Sequence, residues 1–137
     1  MGLEFVKCDK QYWDFVLSLR IGLREGFICQ NTIDKKSHYN FMEKYATDYY
    51  ICLDNSVPVG WAGVLNNDIR VATHPDHQKK GIGKFLINEL MSLYPNSCAK
   101  IKVENIASQR LFESCGFKKK YYILERKEYN AQYKVGI

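Results

Sequence analysis

The turn at residues 73–84, between a β-rich run and an apolar helical pattern, constrains the fold more than any other feature of this chain. Gly81 and Gly83 stand just where the helical spacing begins. A helix N-terminus presents backbone N–H groups that lack intrahelical partners, together with the positive end of the helix dipole. The turn also carries three lysines: Lys79, Lys80 and Lys84. The sequence therefore predicts an anion site where a strand passes into a helix.

The spacing of apolar and polar residues predicts the other elements, and 137 residues suit a single domain over residues 1–137. Strands are predicted at 3–7, 49–53, 57–65, 69–73, 99–103 and 117–124. Helices are predicted from Asp9 to about Arg24, from about 33 to 47, over 81–93, and from Asn105 to Cys115 with Gly116 closing the last one. Turn residues at 54–56 and 66–68 predict an antiparallel meander. The order is β-α-α-β-β-β-α-β-α-β, an α/β (α+β) fold.

Charge and cysteine usage restrict the partners and the compartment. The net charge is +5, and residues 99–137 carry all of the excess, with 9 basic against 4 acidic side chains. This distribution favours an anionic partner. No apolar run approaches the length of a membrane span, and the N-terminus lacks a secretory pattern. Five scattered cysteines without a C-x-x-C pair favour reduced thiols, so we expect a cytoplasmic protein that does not bind a membrane.

Common phosphate and metal motifs do not fit the turn. Gly83-Lys84-Phe85 lacks the hydroxyl residue of a P-loop, and Leu86 stands where a dinucleotide fingerprint has its third glycine. His74 and His77 flank a proline in a loop, where histidines are more often surface residues than metal ligands. No metal is predicted.

Two sequence patterns together resemble the GCN5-related N-acetyltransferase (GNAT) family. The first is Gln78-x-x-Gly81-x-Gly83, which matches the family's acetyl-CoA motif Q/R-x-x-G-x-G/A. The second runs from Asn105 through Ser108, Leu111 and Phe112 to Gly116 and Phe117 and is similar to the family's N-x-x-A/S-x-x-L-Y-x-x-x-G-F. Both stand in the family's order and spacing, and the resemblance covers about residues 57–118.

The resemblance implies a mixed, mainly antiparallel sheet flanked by helices, with acetyl-CoA as co-substrate in a V-shaped cleft. Backbone groups of Val71, Ala72 and Thr73 would pair with the pantetheine arm like an added strand. The pyrophosphate would lie against the N–H groups of Gln78, Lys79, Lys80, Gly81, Ile82, Gly83 and Lys84. Asn105 would bind the pantetheine near its reactive end, and Phe112 would border the cofactor.

The implied chemistry is direct attack of a neutral amine on the thioester, with protonation of the leaving thiolate. Phe112 stands where the family often has a tyrosine, so the usual proton donor is missing. Asn105 and Ser108 share a helical face with Phe112, and Ser108 or a tyrosine of the next predicted strand, Tyr121 or Tyr122, could serve instead. A general base is sought among four residues without a decisive motif: His38, Asp68, His74 and Glu104.

The expected function is acetyl transfer from acetyl-CoA to a primary amine of a small molecule such as an amino sugar. Three alternatives remain open: a protein or peptide amine acetyltransferase, a catalytically retired CoA-binding module, and a nucleic-acid module. The last would use the basic and aromatic residues Lys118, Lys119, Lys120, Tyr121, Tyr122, Arg126 and Lys127, although such lysine runs are usually solvated, which disfavours nucleic acid. A homodimer is left open.

Overall fold

A computed structural model describes residues 2–22, 34–78 and 80–127. Its four-stranded sheet has the order β1-β2-β3-β4 with antiparallel neighbours. The strands are β1 (Leu3–Lys7), β2 (Tyr49–Asp54), β3 (Val57–Leu65) and β4 (Asp68–Thr73). The helices are α1 (Trp13–Gly22), α2 (Lys35–Tyr45), α3 (Ile82–Leu93) and α4 (Ile106–Ser114). The mixed α+β class with a mainly antiparallel sheet is confirmed.

Two tight turns fix the register of the meander. Asn55 and Ser56 have φ of 51° and 70°, and Asn66 and Asn67 have φ of 53° and 64°. Positive φ at both central residues is the geometry of a two-residue type I′ hairpin, whose twist suits adjacent strands. These are the two turns that the sequence predicts.

Helices cover both faces of the sheet and make two cores. On one face, α1 and α2 pack with Ile51 and Trp61 of the strands. On the other face, α3 and α4 pack with Cys52 and Ala62. Because these residues are close neighbours in sequence but point to opposite sides, both faces of the central strands are buried. The strands therefore form a rigid central layer.

The helix boundaries depend on local caps. Asp34 accepts a hydrogen bond from the Ser37 N–H at 2.7 Å and so begins α2 two residues later than predicted. Asp9 precedes a single 3₁₀ turn rather than α1 itself, and it makes no side-chain cap. The predicted end of the first helix, at Arg24, lies outside the described residues, as does the predicted phosphate residue Lys79.

Two predicted strands are wrong. Residues 99–103 form no strand, and the pairing with β4 is a single parallel bridge between Asp68 and Cys98. Residues 117–124 form no strand either, and no described residue pairs with them. Strand propensity creates a strand only where a partner supplies the other half of the ladder.

No described helix is long and apolar enough to cross a bilayer.

Candidate functional site

The edge of β4 and the segment after Cys98 form a fork. The Cys98 N–H donates to the Asn67 carbonyl at 2.9 Å, and the Cys98 carbonyl accepts from the Ile69 N–H at 2.8 Å. The next donor along that segment, the Lys100 N–H, bonds at 3.2 Å to Oδ1 of Asp68 instead of to the β4 backbone. Beyond this point no described residue pairs with the outer edge of β4. The fork therefore opens towards Thr73.

The backbone groups that face this opening can be identified from the ladder. The Ile69 N–H points outward to Cys98, whereas the His74 N–H points inward and bonds to the Val59 carbonyl of β3 at 2.8 Å. Since backbone groups alternate in direction along a strand, the N–H and C=O groups of Val71 and Thr73 point outward. Those of Ala72 pair with Trp61 of β3. Of the three residues predicted to bind pantetheine, two have backbone groups at the open edge.

The N-terminus of α3 lies directly after β4 and one turn of 3₁₀ helix. The first intrahelical hydrogen bond runs from the Phe85 N–H to the Gly81 carbonyl at 3.0 Å. The N–H groups of Ile82, Gly83 and Lys84 precede it, and the N-cap residue, Gly81, has no side chain to cap them. Ile82 has a buried side chain that fixes this end against the sheet. The remaining predicted phosphate residues in the described part, Gln78, Lys80 and Lys84, have exposed side chains.

Gly81 and Gly83 are needed for different reasons. Gly81 has φ of +80°, which favours glycine, and a Cβ there would meet nothing within 4 Å. A Cβ on Gly83 would stand 2.9 Å from Cδ2 of Leu111 in α4. The absence of a Cβ at both positions would also let phosphate oxygens reach the backbone N–H groups, which stays a prediction. In addition, the structure assigns Gly83 to the close packing of α3 against α4.

Asn105 begins α4 at the far side of the fork. Its Oδ1 accepts a hydrogen bond from the Ser108 N–H at 3.1 Å, which is an N-cap. The amide hydrogens on Nδ2 are the donors that this cap does not use. Asn105 and Ser108 are both half-buried. The local role of Ser108 is thus in the cap, through its backbone.

Phe112 belongs to the core rather than to an open surface. Its side chain is 5% exposed and contacts the ring of Phe117, with the ring centroids 5.1 Å apart. The Phe117 N–H donates to the Phe112 carbonyl, the Gly116 N–H donates to the Glu113 carbonyl, and Gly116 has φ of +95°. This is a Schellman motif, which pairs two helix-end carbonyls and joins two apolar residues across the end. The G-F pair of the sequence pattern is therefore explained by helix termination.

His38 is removed from the candidates for a general base. It is fully buried between α1 and α2, with Nε2 2.8 Å from the Trp13 carbonyl and Nδ1 3.0 Å from the Arg20 guanidinium. A neutral ring that donates from Nε2 and accepts at Nδ1 satisfies both contacts. Burial lowers the pKa of His38, and the nearby Arg20 charge lowers it further. This histidine holds two helices together.

The other reactive side chains are held in structural roles or in solvent. Burial raises the pKa of Cys8 to about 12 and that of Cys52 to about 11, so neither is a thiolate at neutral pH. His74 is a loop residue whose Nδ1 accepts from the Asp76 N–H at 3.1 Å. Glu104 is exposed. Among the described residues, no three His, Cys, Asp or Glu side chains converge as a metal site would require.

Tyr121 and Tyr122 follow α4 on the irregular segment that was predicted as the last strand. They are 82% and 87% exposed. The flanking lysines Lys118, Lys119 and Lys120 are exposed as well. Neither hydroxyl is held by packing, so a catalytic role for Tyr121 stays a prediction.

Residues 16–117 match the sequence profile of the acetyltransferase (GNAT) family. A comparison with curated protein sequences finds no match.

Solved structures of the same fold include three acetyltransferases that act on different acceptors. An aminoglycoside N-acetyltransferase in complex with CoA has a TM-score of 0.70 and 18% identity, covering 92% of this chain and 95% of that one. The spermidine N-acetyltransferase from Vibrio cholerae, in complex with CoA and spermine, has a TM-score of 0.77 and 18% identity over 91% and 86% of the two chains. A ribosomal-protein-alanine N-acetyltransferase from Brucella melitensis has a TM-score of 0.74 and 17% identity, covering 84% of each chain.

Proposed function

The chain belongs to the acetyltransferase (GNAT) family, and from that premise we propose that residues 1–137 form one domain that transfers the acetyl group of acetyl-CoA to a primary amine of a small molecule. The observation that carries the proposal is that no described residue pairs with the outer edge of β4 beyond its start, and that this edge is followed, after one 3₁₀ turn, by an α3 N-terminus without a side-chain cap. One ligand with amide groups at one end and phosphates at the other suits both features. CoA is such a ligand.

The binding mode depends on which groups are available. Val71 and Thr73 would exchange hydrogen bonds with the two pantetheine amides, as an added strand does. The N–H groups of Ile82, Gly83 and Lys84 would receive the pyrophosphate, with the positive end of the α3 dipole behind them. Lys80 and Lys84 would add charge from solvent. Asn105 would donate from Nδ2 to the thioester end of the arm.

The chemistry needs little from side chains once both reactants are held. The amine, in its neutral form, attacks the thioester carbonyl and forms a C–N bond as the C–S bond breaks. The amine proton leaves to solvent or to a base that the acceptor brings near. A thiolate is stable enough to leave without full protonation, so Phe112 in place of tyrosine slows this step without preventing it.

A small acceptor is favoured by the size of the chain. A domain of 137 residues offers a small surface for docking a folded protein in addition to the cofactor cleft. The proteins of similar fold include an aminoglycoside, a spermidine and a ribosomal-protein-alanine N-acetyltransferase. A peptide amine is therefore the alternative that an acceptor screen must include.

The cofactor site is tested with a proline that removes one outward N–H. Thr73→Pro deletes a predicted pantetheine donor on an edge where proline is tolerated. Lys7→Pro is the matched control, because the Lys7 N–H points away from β2 at the opposite edge of the sheet. We expect about tenfold weaker CoA binding by calorimetry for Thr73→Pro, from one lost hydrogen bond and the added ring. Equal affinities in the two variants would contradict the site.

The reaction is tested by release of free CoA from acetyl-CoA. The panel holds an aminoglycoside, spermine, and a peptide with a free N-terminus, and products are checked by a mass increase of one acetyl group. Turnover of either small amine above that of the peptide supports the proposal. Turnover of the peptide alone would replace the small amine by a protein acceptor. Tight binding of acetyl-CoA with no thiol release from any amine would indicate a retired cofactor-binding module.

A further inference from the structure

The fork between β4 and residues 98–103 has an identifiable cause in the side chain of Asp68. Asp68 is the first residue of β4 and comes directly after the type I′ turn at Asn66 and Asn67. Its side chain is 23% exposed. Oδ1 accepts from the Lys100 N–H at 3.2 Å, and Oδ2 lies 3.8 Å from Nε of Arg70.

The ladder that begins at Cys98 has a defined next step. In a parallel pair, every second residue of a strand bonds to the neighbouring strand. Such a residue donates its N–H to the carbonyl of one partner residue, and its own carbonyl accepts from the N–H of the partner residue two positions later. Cys98 pairs with Asn67 and Ile69, so Lys100 would donate to the Ile69 carbonyl and accept from the Val71 N–H. Lys102 would then pair with Val71 and Thr73. The observed bond from Lys100 to Asp68 takes the first donor of this sequence.

We propose that Asp68 is a positioning residue that holds the cleft open by capturing the Lys100 N–H and so stopping the pairing of β4 with residues 100–103. The continued ladder would occupy the outward groups of Val71 and Thr73. Those are the groups assigned above to the pantetheine arm, so pairing within the chain and binding of the cofactor compete for them. The competition with the cofactor rests on the proposed function. The effect of Asp68 on the pairing of β4 with residues 100–103 does not depend on any ligand.

The charge of Asp68 is secondary to its position as an acceptor. Asp68→Asn keeps an oxygen at the same place and is expected to keep the fork open. Asp68→Ala removes the acceptor and frees the Lys100 N–H for the Ile69 carbonyl. Arg70→Gln breaks the exposed contact with Oδ2 and serves as the control for lost charge.

The first experiment is residue-resolved amide hydrogen exchange on the full chain without ligand. Asp68→Ala is expected to slow exchange of the Val71 and Thr73 N–H groups about tenfold or more, while Asp68→Asn and Arg70→Gln leave them unchanged. Amides of Leu86 and Ile87 in the core of α3 report whether each variant is folded. Unchanged exchange at Val71 and Thr73 in folded Asp68→Ala would overturn the proposal.

A second variant distinguishes this role from general destabilisation. Lys100→Pro lacks the N–H that starts the ladder, so the double variant Asp68→Ala/Lys100→Pro is expected to return the Val71 and Thr73 exchange rates to those of the parent protein. A merely structural loss would not be reversed by a second substitution. Failure of this reversal would overturn the proposal.

CoA affinity then separates the inference from the function on which it rests. We expect about tenfold weaker binding for Asp68→Ala and recovery in the double variant. Slowed exchange with unchanged CoA affinity would confirm the role of Asp68 in the fork and would contradict the assignment of this edge to the cofactor.

Discussion

At the scale of single residues, His38 couples folding stability to pH. Its neutral ring donates to Trp13 and accepts from Arg20 in a fully buried position. Burial lowers its pKa below the ordinary value of 6.5, so at acidic pH the unfolded chain binds a proton that the folded chain does not. The contribution of neutral His38 to the free energy of unfolding is therefore fully present above pH 6.5 and is lost as the pH falls through the lowered pKa.

Urea unfolding at about pH 7.5 and about pH 5.5 measures this coupling. The parent protein is expected to lose up to about 1.4 kcal/mol per pH unit within the affected range. His38→Gln can keep both hydrogen bonds and should show a smaller loss between the two pH values. His74→Gln, on the surface, is the control and should lose as much as the parent. Equal losses in all three proteins would contradict the role of His38.

The two glycines of the turn give a second prediction at this scale. Gly83→Ala places a methyl group against Leu111, whereas Gly81→Ala places one in open space but strains a left-handed backbone. The effects of Gly83→Ala and of removing the Leu111 side chain on the free energy of unfolding should therefore be coupled by about 0.5–1 kcal/mol. The effects of Gly81→Ala and of removing the Leu111 side chain should simply add. Double-mutant cycles in urea check this. An interaction of the same size in both cycles would show that Gly83 is not a packing residue.

At the scale of elements, the hairpin turn at Asn55 and Ser56 is not optimal. A type I′ turn favours Asn-Gly, and Ser56 holds φ of 70° without being a glycine or an asparagine. Ser56→Gly should raise the free energy of unfolding by about 0.5–1 kcal/mol. Asn67→Gly, at the matching position of the second turn, should gain less because asparagine tolerates this conformation. Thermal unfolding of the two variants tests the difference, and an equal gain would contradict it.

The same scale shows how far the sequence predicts the fold. The strands β1 to β4, their two turns and the helix α3 have local signals, and the structure bears them out within one or two residues. The predicted strands at 99–103 and 117–124 also have strand composition, but a strand needs a partner. The Asp68 side chain binds the Lys100 N–H, so residues 99–103 do not pair with β4. Residues 117–124 then have no strand to pair with among the described residues. A side chain that captures a backbone N–H from a distant segment leaves no pattern in local sequence.

The features of the candidate site also fall into those that local sequence predicts and those that depend on contacts between elements. Gly81 and the N-cap at Asn105 could be predicted because each is a local requirement of a helix end. The outward direction of Val71 and Thr73, and the loss of Ala72 to β3, depend on strand pairing and emerge only from the register. The tasks of Gly83 and Phe112 depend on contacts that α4 makes with α3 and with the ring of Phe117 beyond its C-terminus.

At the scale of the whole molecule, the exposed segment at residues 121–124 is expected to affect solubility. Its tyrosines are over 80% exposed and Leu124 is 92% exposed. Short β-prone segments of this kind pair between chains and seed aggregates. Replacing the three lysines at 118–120 by glutamine should lower the concentration at which light scattering begins. The control replaces Lys35, Lys36 and Lys44, which removes the same charge elsewhere and should have a smaller effect. Equal onsets would show that only net charge matters.

The excess of basic over acidic residues in 99–137 then has a role that requires no ligand. Lys118, Lys119 and Lys120 precede the exposed segment, and Arg126 and Lys127 come closely after it. Charges on both flanks of an adhesive segment act as gatekeepers, because stacking copies of the segment would bring like charges together. Among the described residues, 117–124 have no strand partner, and the flanking charges would oppose the association of such segments between molecules.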